Sequence, residues 1–328
     1  MVKKLIISIL IITGSLNAFT IIEILGGQKV GTTSMTFLKI GVGAKQEAMG
    51  GTGVSIVHDA TCLYWNPGAA PFISSGRSIA FQANKWLAGI YHGYTGYVMN
   101  FSKYNTLGIH LIGLHSDYIE KTDEYHPFGT GTYFYSGDFL MGLTYARKLI
   151  DRFAFGLTAK YMHETLDTLT MSGFALDIGT LYFVGYKNIK IGVSLSNIGP
   201  DVRPSGTYIQ DGIEKHYESF SLPVIYRFGV SGNILKPLSL SFEIDKPTDN
   251  VEVFRIGSEY NIENIISIRA GFKLNSNLPG EQFPPSGISF GIGVAKSLGF
   301  RKELHIDYSL NSMGYAGDVH KLSMGVNF

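Results

Sequence analysis

The sequence predicts an all-β protein: a transmembrane antiparallel β-barrel of about 14 strands with an N-terminal hatch in its lumen. The first observation is composition: of 328 residues, 40 are glycine and only 16% are charged, whereas soluble domains average about 25% charged residues. The second is a series of segments in which apolar and polar residues alternate, as in strands with one lipid-facing side. The third is that no apolar run reaches the roughly 18 residues of a spanning helix.

The N-terminus is typical of a secretory signal peptide. Lys3 and Lys4 form a basic region, residues 5–12 are largely apolar, and Ala18 offers a small residue at a cleavage point. The alternative is a membrane anchor, but the apolar run is short for a membrane span. Export to the bacterial outer membrane follows, with three predicted regions: a signal peptide at 1–18, a hatch at 19–75 and a barrel at 76–328.

The segment 36–72 lacks alternation and is predicted to fold inside the barrel. Its glycines permit close backbone approaches, a short helix is predicted from Asp59, as N-cap, to Tyr64, and a turn is predicted at Asn66-Pro67. Irregular backbone cannot face lipid, because its polar groups would have no partners there. The residues predicted to carry this hatch are Gly43, Met49, Gly50, Gly51, Asp59, Tyr64, Asn66 and Pro67.

The rest of the chain divides into alternating segments long enough to cross a bilayer as tilted strands. An even number of strands returns both ends of the barrel to the periplasmic side. The predicted strands are 76–86, 89–102, 106–118, 134–149, 153–166, 171–186, 189–198, 222–232, 237–246, 250–260, 265–275, 286–297, 302–311 and 319–328.

The connections between these segments give an independent test. If the first strand starts on the periplasmic side, the three longest connections (119–133, 199–221 and 276–285) all face outward and the opposite turns are short. Long loops on one side are the outer-membrane pattern. The competing structure is a soluble β-sandwich, but sandwich strands average about five to six residues. The longer segments, charged on one side only, favour the barrel.

Charged residues at the polar positions of the strands are expected to face the lumen. Charges in a low-dielectric shell are tolerated when they are paired, so ion pairs that stiffen the barrel and contact the hatch are one interpretation. A polar path for a solute is another, and a third is a bond from Asp59 or Asn66 to Arg227 or Arg269 that holds the hatch. The predicted luminal residues are Arg227, Glu243, Asp245, Arg255, Glu259, Arg269, Lys273 and Asp307.

Aromatic residues are assigned to two roles. Tyr91, Tyr94 and Tyr97 are among the candidates for a girdle at the membrane interface, the alternative being a platform that stacks a substrate. The last strand ends on Phe328 and must pair with the first strand to close the barrel. A terminal aromatic resembles the signal read by the barrel-assembly machinery, so Phe328 is predicted to act in assembly with that partner.

The sequence carries no signature of an enzyme. No G-x-S-x-G nucleophile motif occurs, and the glycines at 50–53 lack the Lys-Ser/Thr pair of a phosphate loop. His115, Asp117 and His126 could be read as metal ligands, but nine histidines in a chain with long polar loops make such a grouping ordinary, and no metal site is predicted. Cys62 is the single cysteine, which excludes a disulfide within the chain. With a net charge of +1, the prediction is no cofactor and no nucleic acid, with outer-membrane lipid as the surrounding partner.

The hatch block resembles the start of the PorV/PorQ family, which is related to FadL-type barrels. The family pattern is approximately G-A-x-x-x-A-M-G-G-A, followed by D-D-A-x-A-x-Y-x-N-P-A-G. The departures are Gly68-Ala69, in reversed order, and His58 at an acidic or alanine-like position. The matching residues are Gly43-Ala44, Ala48 to Gly51, Asp59-Ala60, Tyr64 and Asn66-Pro67, with weaker matches at Asn197 to Pro200 and at Leu222-Pro223, Arg227 and Gly229.

The resemblance implies a non-enzymatic component of type IX protein secretion that binds the C-terminal domains of exported proteins. Its partners would be exported proteins and other secretion components, and the outer loops, 199–221 above all, would be the binding surface. One alternative is a FadL-like passive transporter of hydrophobic small molecules, for which an apolar pocket between hatch and wall is expected. A purely structural barrel is the other.

Overall fold

A computed structural model describes residues 31–56, 58–210, 212–275, 287–299 and 302–328. Fourteen antiparallel strands form a closed barrel in which each strand pairs with its neighbours in the chain. The first strand pairs with the last, from Ser78 opposite Asn327 to Asn84 opposite Lys321. The predicted fold class and strand number are therefore confirmed, whereas the signal peptide at 1–18 and the connection 276–285 lie outside the described residues.

The barrel strands are longer than those of most soluble sheets, as tilted membrane strands must be. The eighth strand begins three residues later than predicted, at Ile225, because Pro223 has no N–H for the ladder. In chain order the strands are β1 (Arg77–Lys85), β2 (Ile90–Asn100), β3 (Asn105–Ser116), β4 (Ser136–Ile150), β5 (Phe153–Leu166), β6 (Leu169–Phe183), β7 (Lys190–Ile198), β8 (Ile225–Leu235), β9 (Leu238–Pro247), β10 (Val253–Ile262), β11 (Ile266–Asn275), β12 (Ile288–Gly299), β13 (Lys302–Ser312) and β14 (Asp318–Asn327).

The two faces of the strands separate as the alternation predicted. In β14, Lys321 is 0% exposed and its neighbour Leu322 is 55% exposed, because successive side chains point to opposite faces. One girdle prediction is wrong: Tyr94 is buried and donates a hydrogen bond to the carbonyl oxygen of Ala60 at 2.7 Å. The even positions of β2 face inward, so Tyr94 points into the lumen, whereas Tyr91 is exposed outside.

Residues 31–76, called the hatch segment below, contribute no strand to the barrel wall and lie in the lumen. They form a 3₁₀-helix (Thr36–Lys39), α1 (Ala44–Ala48), α2 (Cys62–Trp65) and a second 3₁₀-helix (Pro67–Phe72). The helix predicted from Asp59 starts later, since the Asp59 carboxylate accepts the Thr61 amide at 2.9 Å within the preceding turn. Among the described residues, no helix is long and apolar enough to cross a membrane.

Two long connections lie at the same end of the barrel, because each follows an odd-numbered strand. The connection after β3 contains a small pairing of Ile119–Glu120 with Tyr133–Phe134. The connection after β7 contains a hairpin of Thr207–Gln210 with Ile213–His216, called the outer hairpin below. The opposite end has short turns, such as 151–152 and 236–237.

Candidate functional site: the hatch segment in the lumen

The hatch segment is buried over most of its length and is tied together by its own aromatic residues. The Trp65 indole nitrogen donates to the Val42 carbonyl oxygen at 2.9 Å, and the Tyr64 hydroxyl donates to the Leu38 carbonyl oxygen at 3.0 Å. These bonds join α2 to the chain about 25 residues earlier. The segment is thus a folded unit that can present backbone groups to the wall.

A glycine pair brings the hatch segment against the wall. Gly50 and Gly51 have φ values of 75° and 76°, which residues other than glycine seldom adopt. A Cβ on Gly50 would lie 2.9 Å from the backbone nitrogen of Phe272 in β11. The Gly50 amide donates to the Ser289 hydroxyl, and Arg255 donates to the Gly50 carbonyl oxygen, both at 3.0 Å. The backbone therefore lies directly on β11 and β12.

Glu47 in α1 forms the central ion pair between hatch and wall. Its carboxylate lies 3.2 Å from the Lys321 ammonium and 3.8 Å from that of Lys273. Burial alone would raise the pKa of Glu47, but the two lysines outweigh it and lower the pKa to about 2. The Lys321 ammonium also donates to the Gly41 carbonyl oxygen at 2.6 Å, so one wall cation holds two hatch groups.

Glu243 in β9 binds hatch backbone. One carboxylate oxygen accepts the amides of Gly53 and Val54 at 2.7 and 2.9 Å. Two residues along the same face, Asp245 accepts from the Arg255 Nε at 2.8 Å. Glu243 thus binds the hatch backbone, and Asp245 of β9 pairs with Arg255 of β10.

Asn66 and Pro67 do more than make the predicted turn. The Asn66 amide nitrogen donates to the carbonyl oxygens of Val54 at 2.7 Å and of Thr180, in β6, at 2.9 Å. The side-chain oxygen accepts the Gly68 amide at 3.0 Å and caps the 3₁₀-helix that begins at Pro67. At the other end of the segment, the Gly43 amide, at φ 82°, donates to the Gln82 side chain of β1.

The predicted tether from Asp59 or Asn66 to an arginine is wrong. Arg227 lies over the rings of Tyr64 and Trp65, at 5.6 and 5.5 Å from their centroids. Arg269 stays in the wall, where it donates to Glu259 and Asp307, each at 2.6 Å. Asp59 instead accepts a hydrogen bond from His305 at 2.9 Å.

The eight predicted luminal residues are all buried or half-buried on the inner side of the wall. Residues that sequence reasoning missed include Glu47 and Ser289. A signal for Glu47 existed, since it is the single acidic residue between residues 24 and 58. No local signal marks Ser289, because its role depends on which hatch residue lies opposite.

Phe328 extends the ladder that closes the barrel. Its amide donates to the Arg77 carbonyl oxygen at 2.9 Å, and its carbonyl oxygen accepts the Arg77 amide at 3.1 Å. The residue therefore lies at the junction of β1 and β14. Its role in assembly stays a prediction.

Residues 25–217 match the family model described as "Type IX secretion system protein PorV". The chain belongs to the PorV family. The match includes the whole described hatch segment and extends through the outer hairpin, and it confirms the resemblance drawn from the hatch motif. No curated protein matches the sequence.

The PorV-family chain also has similar solved structures. A toluene transporter of Pseudomonas putida, TodX, superposes with a TM-score of 0.60 at 13% identity, covering 92% of this chain and 99% of that one. A toluene transporter of Ralstonia pickettii, TbuX, gives 0.59 at 14% identity, covering 88% and 97%. A FadL homologue of Pseudomonas aeruginosa gives 0.57 at 11% identity, covering 92% and 99%.

These identities are low, so the likeness establishes the fold alone. Together with the family match, it makes the PorV-family chain a FadL-like barrel of the bacterial outer membrane. The long connections after β3 and β7 then face the cell exterior, and the short turns face the periplasm.

Proposed function

We propose that this barrel is a non-enzymatic component of type IX protein secretion that binds exported proteins at its outer loops. Membership of the PorV family supports the secretion role. The binding surface we assign is the outer hairpin, Thr207–Gln210 with Ile213–His216.

The exposure of apolar side chains on the outer hairpin carries this proposal. Ile209 is 79% exposed and Ile213 is 60% exposed, although both lie in a loop outside the membrane-spanning strands. Among the described residues, the hairpin pairs with no third strand, so both of its edges can accept an added strand. An apolar surface with open edges fits a partner that is itself a β-domain.

The packing of the lumen supports a surface role over passage through the barrel centre. The Asn66 side chain of the hatch is bonded to β6, and hatch backbone is bonded to β9 through Glu243 and to β12 through Ser289. A solute crossing the centre would have to break these buried bonds, each of which contributes about 1 kcal/mol net. Binding at the outer hairpin requires no such change.

The test is a binding measurement with paired loop variants. The detergent-purified barrel is titrated with the purified C-terminal domain of a protein secreted by the same organism. Because burying an isoleucine contributes about 1.5–3 kcal/mol, Ile209→Ser with Ile213→Ser is expected to weaken binding at least about tenfold. The matched control, Tyr125→Ser with Phe128→Ser, removes exposed aromatics from the other long loop.

Unchanged affinity in the hairpin variant would refute the assignment of the surface. Equal losses in both variants would show that the hairpin has no special role. If the wild-type barrel binds none of the secreted domains, the secretion role itself fails.

The transporter alternative rests on the fold that this barrel shares with the toluene transporters. A groove of about 610 Å³ lies on the outer wall at β1–β4 and β14, where Ala83, Gly93 and Gly113 leave room between larger apolar side chains. This groove opens to lipid and does not lie between hatch and wall, which is the position that the transporter alternative predicts. Toluene uptake by proteoliposomes separates the two functions: uptake above that of empty vesicles supports transport, and none supports the secretion role.

A further inference from the structure

Three side chains meet where the hatch segment contacts β13. His58 belongs to the hatch segment, whereas His305 and Asp307 lie two residues apart on β13 and so share its inner face. One nitrogen or carboxylate oxygen of each lies within 4.8 Å of those of the other two. The His58 and His305 ring centroids are 4.2 Å apart. Metal–nitrogen bonds of about 2.0–2.1 Å place such ligand atoms about 3–4 Å apart, which small side-chain rotations reach from here.

Each of the three side chains has a buried polar atom to spare. Within the described part of the chain, His58 Nε2, His305 Nδ1 and Asp307 Oδ2 make no hydrogen bond. His305 and Asp307 are each 2% exposed. A buried polar atom without a partner destabilises the folded chain, so three at one place are unfavourable unless something binds them.

Other residues orient these groups as the outer partners of metal ligands do. The Asp59 carboxylate accepts from His305 Nε2 at 2.9 Å, which leaves the Nδ1 lone pair of that imidazole free. Arg269 donates to Asp307 Oδ1 at 2.6 Å and leaves Oδ2 free. Carboxylate partners of ligating histidines fix the tautomer and direct the ring toward the metal.

The charges nearby also suit a cation. Lys45 and Arg269 both pair with Glu259, at 2.9 and 2.6 Å, and Arg269 also pairs with Asp307 at 2.6 Å. With Asp59 and Asp307 added, the five groups carry three negative and two positive charges. A divalent ion therefore enters a site of net charge −1.

We propose that His58, His305 and Asp307 bind one divalent transition-metal ion of the zinc type and that this ion fastens the hatch segment to β13. Two neutral imidazoles and one carboxylate are a ligand set that zinc accepts, with a further position left for water. The ion joins one hatch ligand to two wall ligands, so its binding stabilises the closed position of the hatch. The sequence alone predicts no metal site, because His58 is far from His305 and Asp307 in the chain.

The position of the cluster indicates how an ion reaches it. The His58 carbonyl oxygen accepts from the Asn327 side chain at 3.2 Å, at the end of β14. His305 lies near the start of β13, at the same end of the barrel. His58 is only half-buried, so the cluster borders the periplasmic mouth of the lumen.

The test is a zinc titration of the detergent-purified, EDTA-treated protein by calorimetry. The wild type is expected to bind one equivalent of Zn²⁺ that His58→Ala and Asp307→Asn each weaken at least about tenfold, since even outer partners of a metal cost 10–100-fold. The control is His110→Gln, a buried luminal histidine whose ring nitrogens are both unpaired in the described residues; it is expected to keep the site. Co²⁺, added alone, is expected to show visible bands of a nitrogen–oxygen site in the wild type and not in His58→Ala.

A second readout separates metal binding from misfolding. Zn²⁺ is expected to raise the unfolding temperature of the wild type and of His110→Gln, and to leave that of His58→Ala unchanged. A difference in gel mobility between heated and unheated samples verifies that each variant forms a barrel. The proposal is overturned if the wild type binds no stoichiometric Zn²⁺, or if either His58→Ala or Asp307→Asn binds Zn²⁺ as tightly as the wild type does. It is also overturned if His110→Gln loses as much Zn²⁺ affinity as His58→Ala.

Discussion

Replacing Glu47 by glutamine should destabilise the barrel strongly, because it leaves the buried Lys321 and the half-buried Lys273 without their counter-ion. At an effective dielectric constant of about 20, charges 3.2 Å apart attract by about 5 kcal/mol and charges 3.8 Å apart by about 4 kcal/mol before desolvation. The fall of the Glu47 pKa from 4.5 to about 2 means that the folded chain favours the charged form over the protonated form by about 3 kcal/mol more than the unfolded chain does. Breaking a buried pair by removing one partner costs about 3–5 kcal/mol, so the expected loss in the free energy of unfolding is about 3–5 kcal/mol.

The assay is equilibrium unfolding by guanidinium in detergent, followed by tryptophan fluorescence, to which the buried Trp65 of the hatch contributes. The matched control is Glu218→Gln, which removes an exposed carboxylate of the outer loop and should change stability by less than about 0.5 kcal/mol.

The effect of Glu47 should also depend on pH. Its pKa is lower in the folded chain, so its contribution is complete above pH 4.5 and is lost as the pH falls toward about 2. The difference between wild type and Glu47→Gln should shrink over that window. A loss below 1 kcal/mol at neutral pH, or a difference that stays constant down to pH 2, would refute the reasoning.

Two further predictions concern the hatch contact and the lipid face. Gly50→Ala should destabilise the barrel by about 1–3 kcal/mol more than Gly76→Ala, as measured by guanidinium unfolding. A Cβ at position 50 would meet the wall backbone, whereas one at position 76, which has a similar φ of 89°, would meet nothing within 4 Å. Equal losses in the two variants would contradict the role of the wall contact, because the positive φ alone would then explain them. Ile292→Arg, on the lipid face in the middle of β12, should cost about 2–4 kcal/mol, whereas Tyr125→Arg in an outer loop should be nearly neutral. A neutral Ile292→Arg would place β12 outside the membrane.

The sequence predicts the wall well because alternation is a local property. Each residue of β14 faces lipid or lumen according to its parity, and Leu322 and Lys321 follow that rule. Errors occur where another constraint intervenes. Pro223 delays the start of β8 since it cannot join the ladder. The aromatic ring of Tyr94 predicts a position at the membrane interface, whereas the parity of β2 places this residue inside the lumen.

The contacts of the hatch could not be predicted in the same way. The motif indicates that Gly50, Asp59 and Asn66 belong to a hatch, but not that they meet Ser289, His305 and Thr180. These partners are more than 100 residues away in sequence. Which luminal side chain faces which hatch residue depends on the register of all the strands and on the path of the hatch through the lumen.

The sequence by itself determined the kind of barrel, the number of its strands, the facing of their residues and the family motif of the hatch. Those features follow from the two-residue period of a strand and from the need to pair every backbone group in lipid. Only the tertiary structure decided that Glu47 pairs with Lys321 and that His58 meets His305 and Asp307. Such encounters exist only once closure of the barrel brings distant strands around one buried segment, where each polar group must find a partner.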